Sequence, residues 1–346
     1  METIILEVTK IVRVDKECIL VYLSNEKGKA LSYLPGQFLT FIFNREGKET
    51  RRSYSIFTTP GIDQEMAVLV KRVANGEISR YLIDHLAPGD RLEAILPSGR
   101  FVLPTDYDPA EPLIYIAAGS GISPVFALIK ESLLLKSAAF VLLIYQNRTE
   151  AETLFANELH ELQQSSNGRF QLIHLHSNPL RHHQAPARLN NTLLEKLLNE
   201  RKVDFQRSRF YFCGPPAFMR MCQFVLHVMK TPEEKIHKET FYFEAAPAAR
   251  LTHSKETRNV LLNWNQRRYQ FSVQYPESIL TAALRSGIRL PYSCRGGRCS
   301  TCTIKCNAGT VVMSINETLT ERDLKAGLVL TCVGYPESDI ELEYPF

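Results

Sequence analysis

Apolar residues fall along the chain in three successive rhythms. Up to about residue 105 they come in short runs, Ile4–Val14, Cys18–Leu23, Phe38–Phe43, Ser53–Phe57 and Ala67–Arg72. Turn-forming pairs such as Pro35-Gly36, Pro88-Gly89 and Ser98-Gly99 bound them, and one helical stretch, Ile78–Leu86, interrupts them. Short strands at this spacing predict a small antiparallel β-barrel. From Glu111 strands alternate with helices: Leu113–Ala118, Val125–Leu135, Phe140–Tyr145, Glu152–Gln163, Phe170–Leu175, Thr192–Glu200, Arg209–Cys213 and Ala217–Met229. That alternation predicts a parallel, doubly wound α/β sheet. Residues from about 242 to 257, including Ala245-Ala246-Pro247-Ala248-Ala249, read as a small-residue linker. Beyond it a hairpin (Asn259–Trp264, Arg268–Val273) and a helix (Ser278–Ser286) lead into a cysteine-bearing loop. The chain is therefore expected to be multidomain: 1–106, 107–241, a linker over 242–256, and 257–346.

Length agrees, since 346 residues exceed one ordinary core. An apolar fraction of 45% and a charged fraction of 23% are those of a soluble globular protein. The formal charge of +4 is small for this size; it leans toward an acidic protein partner and gives no case for nucleic acid. No segment approaches the ~18 apolar residues of a membrane span. The opening METIILEVTK lacks the basic and apolar regions of a signal peptide. A cytoplasmic location is expected, and there a cysteine cluster suggests metal binding or catalysis rather than disulfides. Five of the eight cysteines lie between Cys294 and Cys332, while Cys18, Cys213 and Cys222 are scattered.

The run Cys294-Arg295-Gly296-Gly297-Arg298-Cys299-Ser300-Thr301-Cys302, followed at a distance by Cys332, is C-x4-C-x2-C plus a lone fourth cysteine, the plant-type 2Fe-2S spacing. Three soft thiolates can come from one tight loop and the fourth from a segment folded back across it. Gly296 and Gly297 let the loop curl so that backbone N–H groups face the sulfides. Zinc is the rival, but structural zinc draws on two close pairs, and Cys332 stands alone.

Two further constellations carry chemistry. In Arg52-Ser53-Tyr54-Ser55, strand alternation puts Arg52 and Tyr54 on one face, a cation beside an aromatic plate. That suits a ligand with a pyrophosphate and a flat ring. Lys71-Arg72-Val73 and Gly76-x-x-Ser79 follow at a helix start, where free N–H groups and a hydroxyl favour phosphate. Gly119-Ser120-Gly121-Ile122-Ser123-Pro124 leaves an apolar strand and opens a helix, the setting of a dinucleotide loop, with Pro124 in the first turn. The second strand of that region ends Gln146-Asn147-Arg148, offering Arg148 to a 2′-phosphate, while Glu150 and Glu152 lie close by. His174, His176, His182 and His183 fit no metal template and read as a solvated loop. Trp264 reads as hairpin core and Cys306 as a buried spectator.

Together these motifs resemble the ferredoxin–NADP reductase superfamily, joined over 257–346 to a plant-type ferredoxin domain of β-grasp, α+β fold. The resemblance implies that Arg52, Ser53, Tyr54, Ser55 and Lys71 belong to an FAD site, with Ser55 near the reactive flavin nitrogen and Gly76 and Ser79 on the pyrophosphate. It implies that Gly119, Ser120, Gly121 and Pro124 bind NAD(P)H, and Arg148 at the strand end favours NADPH. Cys213-Gly214-Pro215 would lie beside the nicotinamide, and Glu239 and Phe241 would approach the flavin. Cys294 and Cys299 would hold one iron, Cys302 and Cys332 the other. Ser55 and Cys213 are then the positions set nearest to hydride transfer. The order FAD, nucleotide, ferredoxin is that of oxygenase reductase components, so the implied route runs from NAD(P)H through FAD and the cluster to a separate diiron or Rieske oxygenase. A self-contained NAD(P)H oxidase or diaphorase acting on small acceptors, and a binding protein with a structural metal, are the other classes the sequence leaves open.

Overall fold

The structure is a computed structural model that describes residues 3–25, 31–45, 47–135, 138, 140–180, 185–241 and 256–344. The chain divides into two compact units, Thr3–Tyr242 and one containing Phe243–Phe346. The expected linker falls outside the described residues except at Glu256.

The first unit begins with β1 (Thr3–Arg13), β2 (Cys18–Asn25), β3 (Phe38–Arg45), β4 (Lys48–Ser55), β5 (Met66–Lys71), helix α1 (Glu77–His85) and β6 (Arg91–Ser98). These strands form an antiparallel sheet in the order β4-β3-β6-β1-β2-β5. A bridge between Ile56 and Val68 brings its two edges together, as a barrel requires. The interior is filled from alternate positions by Leu6, Val8, Val21, Leu39, Phe41, Val68 and Ala94, with α1 adding Ile78, Leu82 and Ile83. Strand β4 differs from its expected span of Ser53–Phe57. Its first half, Lys-Glu-Thr-Arg-Arg, is polar and does not read as a strand, yet it zips onto β3 from Lys48–Arg45 to Ser55–Phe38. Strand β6, which the turn-bounded runs do not pick out, lies centrally between β3 and β1.

Next come β7 (Leu113–Ala118), α2 (Ile122–Lys130), β8 (Val141–Asn147), α3 (Ala156–Ser165), β9 (Phe170–His176), α4 (Asn191–Glu200), β10 (Arg209–Cys213), α5 (Pro216–Val228) and β11 (Ile236–Glu239). The five strands are parallel in the order β11-β10-β7-β8-β9. One face packs on α4 and α5 through Ile114, Ile144, Phe210 and Phe212. The other face, with Tyr115, Ala117, Tyr145, Tyr211 and Cys213, shares a core with Leu20, Phe57, Leu69 and Phe101 of the barrel. Each large apolar side chain removed from water there contributes about 1.5–3 kcal/mol. The helix expected over Val125–Leu135 starts earlier, at Ile122, and widens after Lys130 into a π turn over Glu131–Leu135. Ser132 Oγ donates to Leu128 O at 2.6 Å in that turn and meets Tyr115 Oη at 2.7 Å.

The second unit comprises β12 (Arg258–Trp264), β13 (Arg267–Val273), α6 (Ile279–Arg285), β14 (Thr303–Ala308), β15 (Val311–Met313), α7 (Glu321–Lys325), β16 (Leu328–Leu330), β17 (Gly334–Pro336) and β18 (Ile340–Glu343). Its main sheet runs β13-β12-β18-β14-β16, with β12 and β18 parallel and the other pairs antiparallel. Ser278 caps α6 through Thr281 N, and Thr320 with Asp323 forms a capping box on α7. Trp264 is half-buried against Tyr269 and Tyr344.

Candidate functional site

In the first unit several of the expected site residues, Gly119, Gly121, Arg148, Cys213 and Glu239 among them, lie at the C-terminal ends of the parallel strands, where open α/β sheets bind ligands. Strands β7 and β10 are neighbours, and the chain leaves β7 toward β8 on one side of them and reaches β11 on the other. The loops that leave them, Gly119–Gly121 and Cys213–Pro215, press together. A Cβ at Gly121 would lie 2.2 Å from the carbonyl oxygen of Cys213, so only glycine permits this approach. Pro124 occupies the first turn of α2, where a backbone N–H has no helical partner to lose. Tyr145 Oη donates to Gly119 O at 3.1 Å and ties the loop to β8.

The barrel contributes the opposite wall. Ser55, buried at the end of β4, donates to Glu239 Oε2 at 2.8 Å, and Ser123 Oγ at the start of α2 donates to Ser55 O at 3.1 Å. Glu239 pairs in register with Cys213 across β11 and β10. Burial pushes the half-buried Glu239 carboxyl up to about 8, with the Ser55 hydrogen bond opposing it. Burial, and then the neighbouring Glu239 charge, push the Cys213 thiol far above its usual range. Cys213 is thus a neutral thiol, and Glu239 is a carboxyl that changes charge just above neutrality. Phe241 packs half-buried against the shared core beside them.

Along β4 the expected alternation is visible. Arg52 faces Phe41 and Tyr54 faces Leu39 in the register, and the Tyr54 ring lies 5.7 Å from that of Phe41. Burial pushes the Tyr54 hydroxyl well above its ordinary value, with Arg52 opposing. Arg52 is exposed and donates to Arg51 O at 2.8 Å, while Ser53 Oγ meets Thr40 Oγ1 at 2.9 Å. Lys71 Nζ comes within 3.8 Å of the position a Cβ on Gly119 would take, so this barrel lysine stands over the dinucleotide loop. Ser79 behaves differently from expectation. Its hydroxyl accepts from Val73 N at 3.0 Å and donates to Gly76 O at 3.3 Å, so it builds the turn before α1. No side chain caps that helix, which leaves its first N–H groups as the donors facing outward.

Arg148 is exposed at the end of β8, and the nearby Glu150 accepts from Leu180 N at 2.9 Å. His174 and His176 are not in a solvated loop: both belong to β9, half-buried, their rings stacked at 5.9 Å. Burial, with His176 and His160 adding, pushes His174 down to about 4, so it is neutral at physiological pH. His182 and His183 lie outside the described residues.

In the second unit the cysteine loop runs between α6 and β14. Gly297 has φ of +72°, and a Cβ there would fall 2.6 Å from Ile315 Cγ2 and 2.7 Å from Ile315 O. The loop therefore folds over the chain at Ile315 only because this position is glycine. Gly296 N donates to Cys294 Sγ at 3.3 Å, and Cys294 N to Cys299 Sγ at 3.5 Å. Thr331 donates to Cys302 O from its N at 3.1 Å and its Oγ1 at 3.2 Å, which seats Cys332 beside Cys302. The Cys294 sulfur is held well below the thiol range by contacts from Cys299 and Cys332 and by the N–H groups of Gly296 and Arg298. Cys302 likewise contacts Cys332, so the sulfurs run in sequence 299–294–332–302. Among the described residues no His, Cys, Asp or Glu group is arranged around a single metal ion. Four soft thiols linked in a string, with N–H groups aimed at sulfur, fit a group larger than one ion. Cys306 is half-buried rather than buried, and its thiol turns to Ala308 O at 3.2 Å.

Sequence reasoning missed Lys130 and Asp63, which meet at 2.5 Å where the barrel adjoins α2. Every residue of α2 is buried, Lys130 included. A single cation closing the apolar run Val125–Ile129 was the available signal.

Comparison with known proteins follows the same three parts. The Oxidoreductase FAD-binding domain family matches residues 5–103, the Oxidoreductase NAD-binding domain family 115–223, and the 2Fe-2S iron-sulfur cluster binding domain family 262–337. The chain is 33% identical over 329 residues to a component of the 1,2-phenylacetyl-CoA epoxidase of Escherichia coli, covering 91% of this chain and 90% of that one. It is 32% identical over 323 residues to the ferredoxin reductase component of the Mycobacterium tuberculosis 3-ketosteroid-9-alpha-monooxygenase, covering 91% and 86%. Phthalate dioxygenase reductase, described as a modular structure for electron transfer from pyridine nucleotides to 2Fe-2S, has the same fold at a TM-score of 0.61 and 22% identity, covering 99% and 97%. Among the described residues no helix is long and apolar enough to cross a membrane. With three matching domains in one order and relatives 32–33% identical across 91% of its length, the chain belongs to the family of NAD(P)H-dependent reductases that join FAD- and NAD-binding oxidoreductase domains to a 2Fe-2S ferredoxin domain.

Proposed function

We propose that this reductase serves a separate oxygenase, drawing electrons from NADPH. The observation that carries the reading is the relatives' shared role. Across 90% or more of this chain, the similar proteins are parts of an epoxidase, a ketosteroid monooxygenase and a glycine betaine monooxygenase. Their oxygenases differ in substrate, so the reductase is the common part and the substrate stays with the partner. The eight free thiols favour a reducing compartment, and the proposed location is the cytoplasm.

The residues divide the work as follows. Tyr54 covers one face of the flavin ring while Arg52 and the first-turn N–H groups of α1, shaped by Gly76 and Ser79, hold the pyrophosphate. Ser53 braces the strand, and Lys71 offers its ammonium to the phosphates over Gly119, Ser120 and Gly121, whose loop Pro124 closes. Cys213, Gly214 and Pro215 pack beside the nicotinamide as an uncharged wall that excludes water. Ser55 and Glu239 hold or release a proton beside the ring, and Phe241 closes the site. Cys294, Cys299, Cys302 and Cys332 carry the cluster. Bound FAD supplies the conversion between a hydride, which brings two electrons, and an outlet that passes one at a time. Support for NADPH over NADH comes from Arg148, exposed at the end of β8, while Glu150, which could repel a 2′-phosphate, is engaged with Leu180 N. Rapid mixing of the purified protein with NADPH and NADH, followed at flavin and cluster wavelengths, tests the reading. Bleaching of both chromophores with NADPH favoured is expected. A preparation without flavin or iron–sulfur absorption would overturn it. NADPH consumption unaffected by any oxygenase, with oxygen as the acceptor, would move the chain to the oxidase class.

A further inference from the structure

The segment that follows the flavin strand, Ser55–Asp63, runs along helix α2 and is fastened to it at three rising points. Ser123 Oγ donates to Ser55 O at 3.1 Å, Thr59 Oγ1 donates to Ala127 O at 3.0 Å, and Lys130 Nζ donates to Asp63 Oδ2 at 2.5 Å. On the helix these are positions i, i+4 and i+7, one face of two turns. On the segment they are four residues apart each time. The same Asp63 oxygen accepts from Thr59 N at 2.5 Å, so the carboxylate also sets the shape of the turn that presents it. Aromatic packing runs parallel to these bonds: Phe126 of α2 stacks on Phe155 at 4.5 Å, and Phe57 of the segment lies 5.1 Å from Phe155 on another side. The Lys130 side chain is only 8% exposed and its Nζ also sits 4.7 Å from the Phe126 ring centroid.

The two ends of this seam have different tasks. The N-terminal end of α2 emerges from Gly119–Gly121, the nicotinamide loop, and is bonded to Ser55, the residue that touches Glu239. The far end, about 10 Å away at 1.5 Å per residue, has no chemistry of its own. A buried ion pair is a weak source of net stability, because desolvation offsets most of its attraction. What it does provide is register, since breaking it leaves a charge that must move to find water.

We propose that Lys130 and Asp63 are positioning residues, a latch that holds the flavin strand in register with the nicotinamide loop and so sets the approach for hydride transfer. The inference rests on the flavin and nicotinamide reading given above. In this role neither side chain touches a cofactor.

The test uses the full-length holoprotein as wild type, Lys130→Met, Lys130→Arg and Asp63→Asn. Three quantities are followed: flavin content per chain, amide hydrogen exchange over residues 56–63, and the limiting rate and half-saturation of flavin bleaching by NADPH. Lys130→Met is expected to keep its flavin and its half-saturation within about twofold. Exchange in 56–63 should quicken and the limiting rate fall, each about tenfold, since misplacement of about 1 Å can cost up to ~100-fold. Lys130→Arg, which can still meet the carboxylate, should restore both. Asp63→Asn should repeat the Lys130→Met pattern and serves in its place if that variant does not fold. Faster exchange with an unchanged limiting rate would overturn the proposal, as would unchanged exchange, or a rate loss that merely follows flavin loss. Wild-type protein that NADPH fails to bleach would instead overturn the flavin reading itself, a separate outcome.

Discussion

The Glu239 carboxyl makes a prediction that needs no bound cofactor. Burial raises it from an ordinary carboxylate to about 8, so the folded chain keeps its proton over a range in which the unfolded chain has lost it. Between about pH 4.5 and 8 the folded state therefore holds one proton more than the unfolded state, and stability falls with rising pH by about 1.4 kcal/mol per unit. The whole window amounts to about 5 kcal/mol; solvent that reaches the half-buried carboxyl reduces this to on the order of 2–3 kcal/mol. Glu239→Gln keeps the shape and can still pair with Ser55, but it cannot ionise. Its stability relative to wild type should be unchanged near pH 5, climb through neutrality, and level off above about pH 8 at 2–3 kcal/mol in its favour. Urea unfolding of both proteins at pH 5, 7 and 9 measures this difference, and other titrating groups cancel in it. A difference that stays flat across the three pH values would refute the buried, protonated state of Glu239. One that ran the other way, in favour of wild type as the pH rises, would mean a carboxylate held below its ordinary value.

Three further outcomes are expected. Cys299→Ser should abolish cluster absorption yet keep the flavin bands and NADPH-to-dye activity, because dyes can draw on flavin directly; a normal cluster signal would remove Cys299 from the ligand set. Arg148→Ala should raise the KM for NADPH by about ten- to a hundredfold, the worth of one charge-assisted contact, with NADH unaffected; an equal effect on both would end its role in discrimination. Gly121→Ala puts a Cβ 2.2 Å from Cys213 O, and NADPH-driven flavin bleaching should slow by about 100-fold with flavin content retained. Bleaching at the wild-type rate would show that the two loops need not touch.

Local signals were legible in the sequence and distant ones were not. The cysteine loop declared itself because a cluster fixes spacing within nine residues, and the glycine loop because it must follow a strand and open a helix. The α/β alternation placed β7 to β10 within a few residues of their true ends. Strand β11 was invisible, since Ile-His-Lys-Glu is four residues long and polar. It exists only because β10 offers an open edge, and it delivers Glu239 there. The polar half of β4 was lost for the same reason, pairing with β3 overriding its composition. The Lys130–Asp63 contact spans 67 residues, and nothing near either residue announces the other. Ser79 was placed correctly at the start of α1 but assigned outward, because a serine there can serve a ligand or its own turn, and spacing does not separate the two.

Thr331 clasps Cys302 by two hydrogen bonds, and Thr303 pairs with Leu330 across β14 and β16. The excursion from 303 to 331 is thus pinched shut at its base beside Cys302 and Cys332, and it meets the cysteine loop again at Ile315 and Glu317. Its outer tip, where the exposed α7 sits, can be lengthened, shortened or exchanged at little cost in chain entropy. A peptide tag or a recognition sequence grafted near Lys325 would therefore leave the iron-binding bay undisturbed, giving this reductase a handle for tethering to an electrode or to a chosen partner.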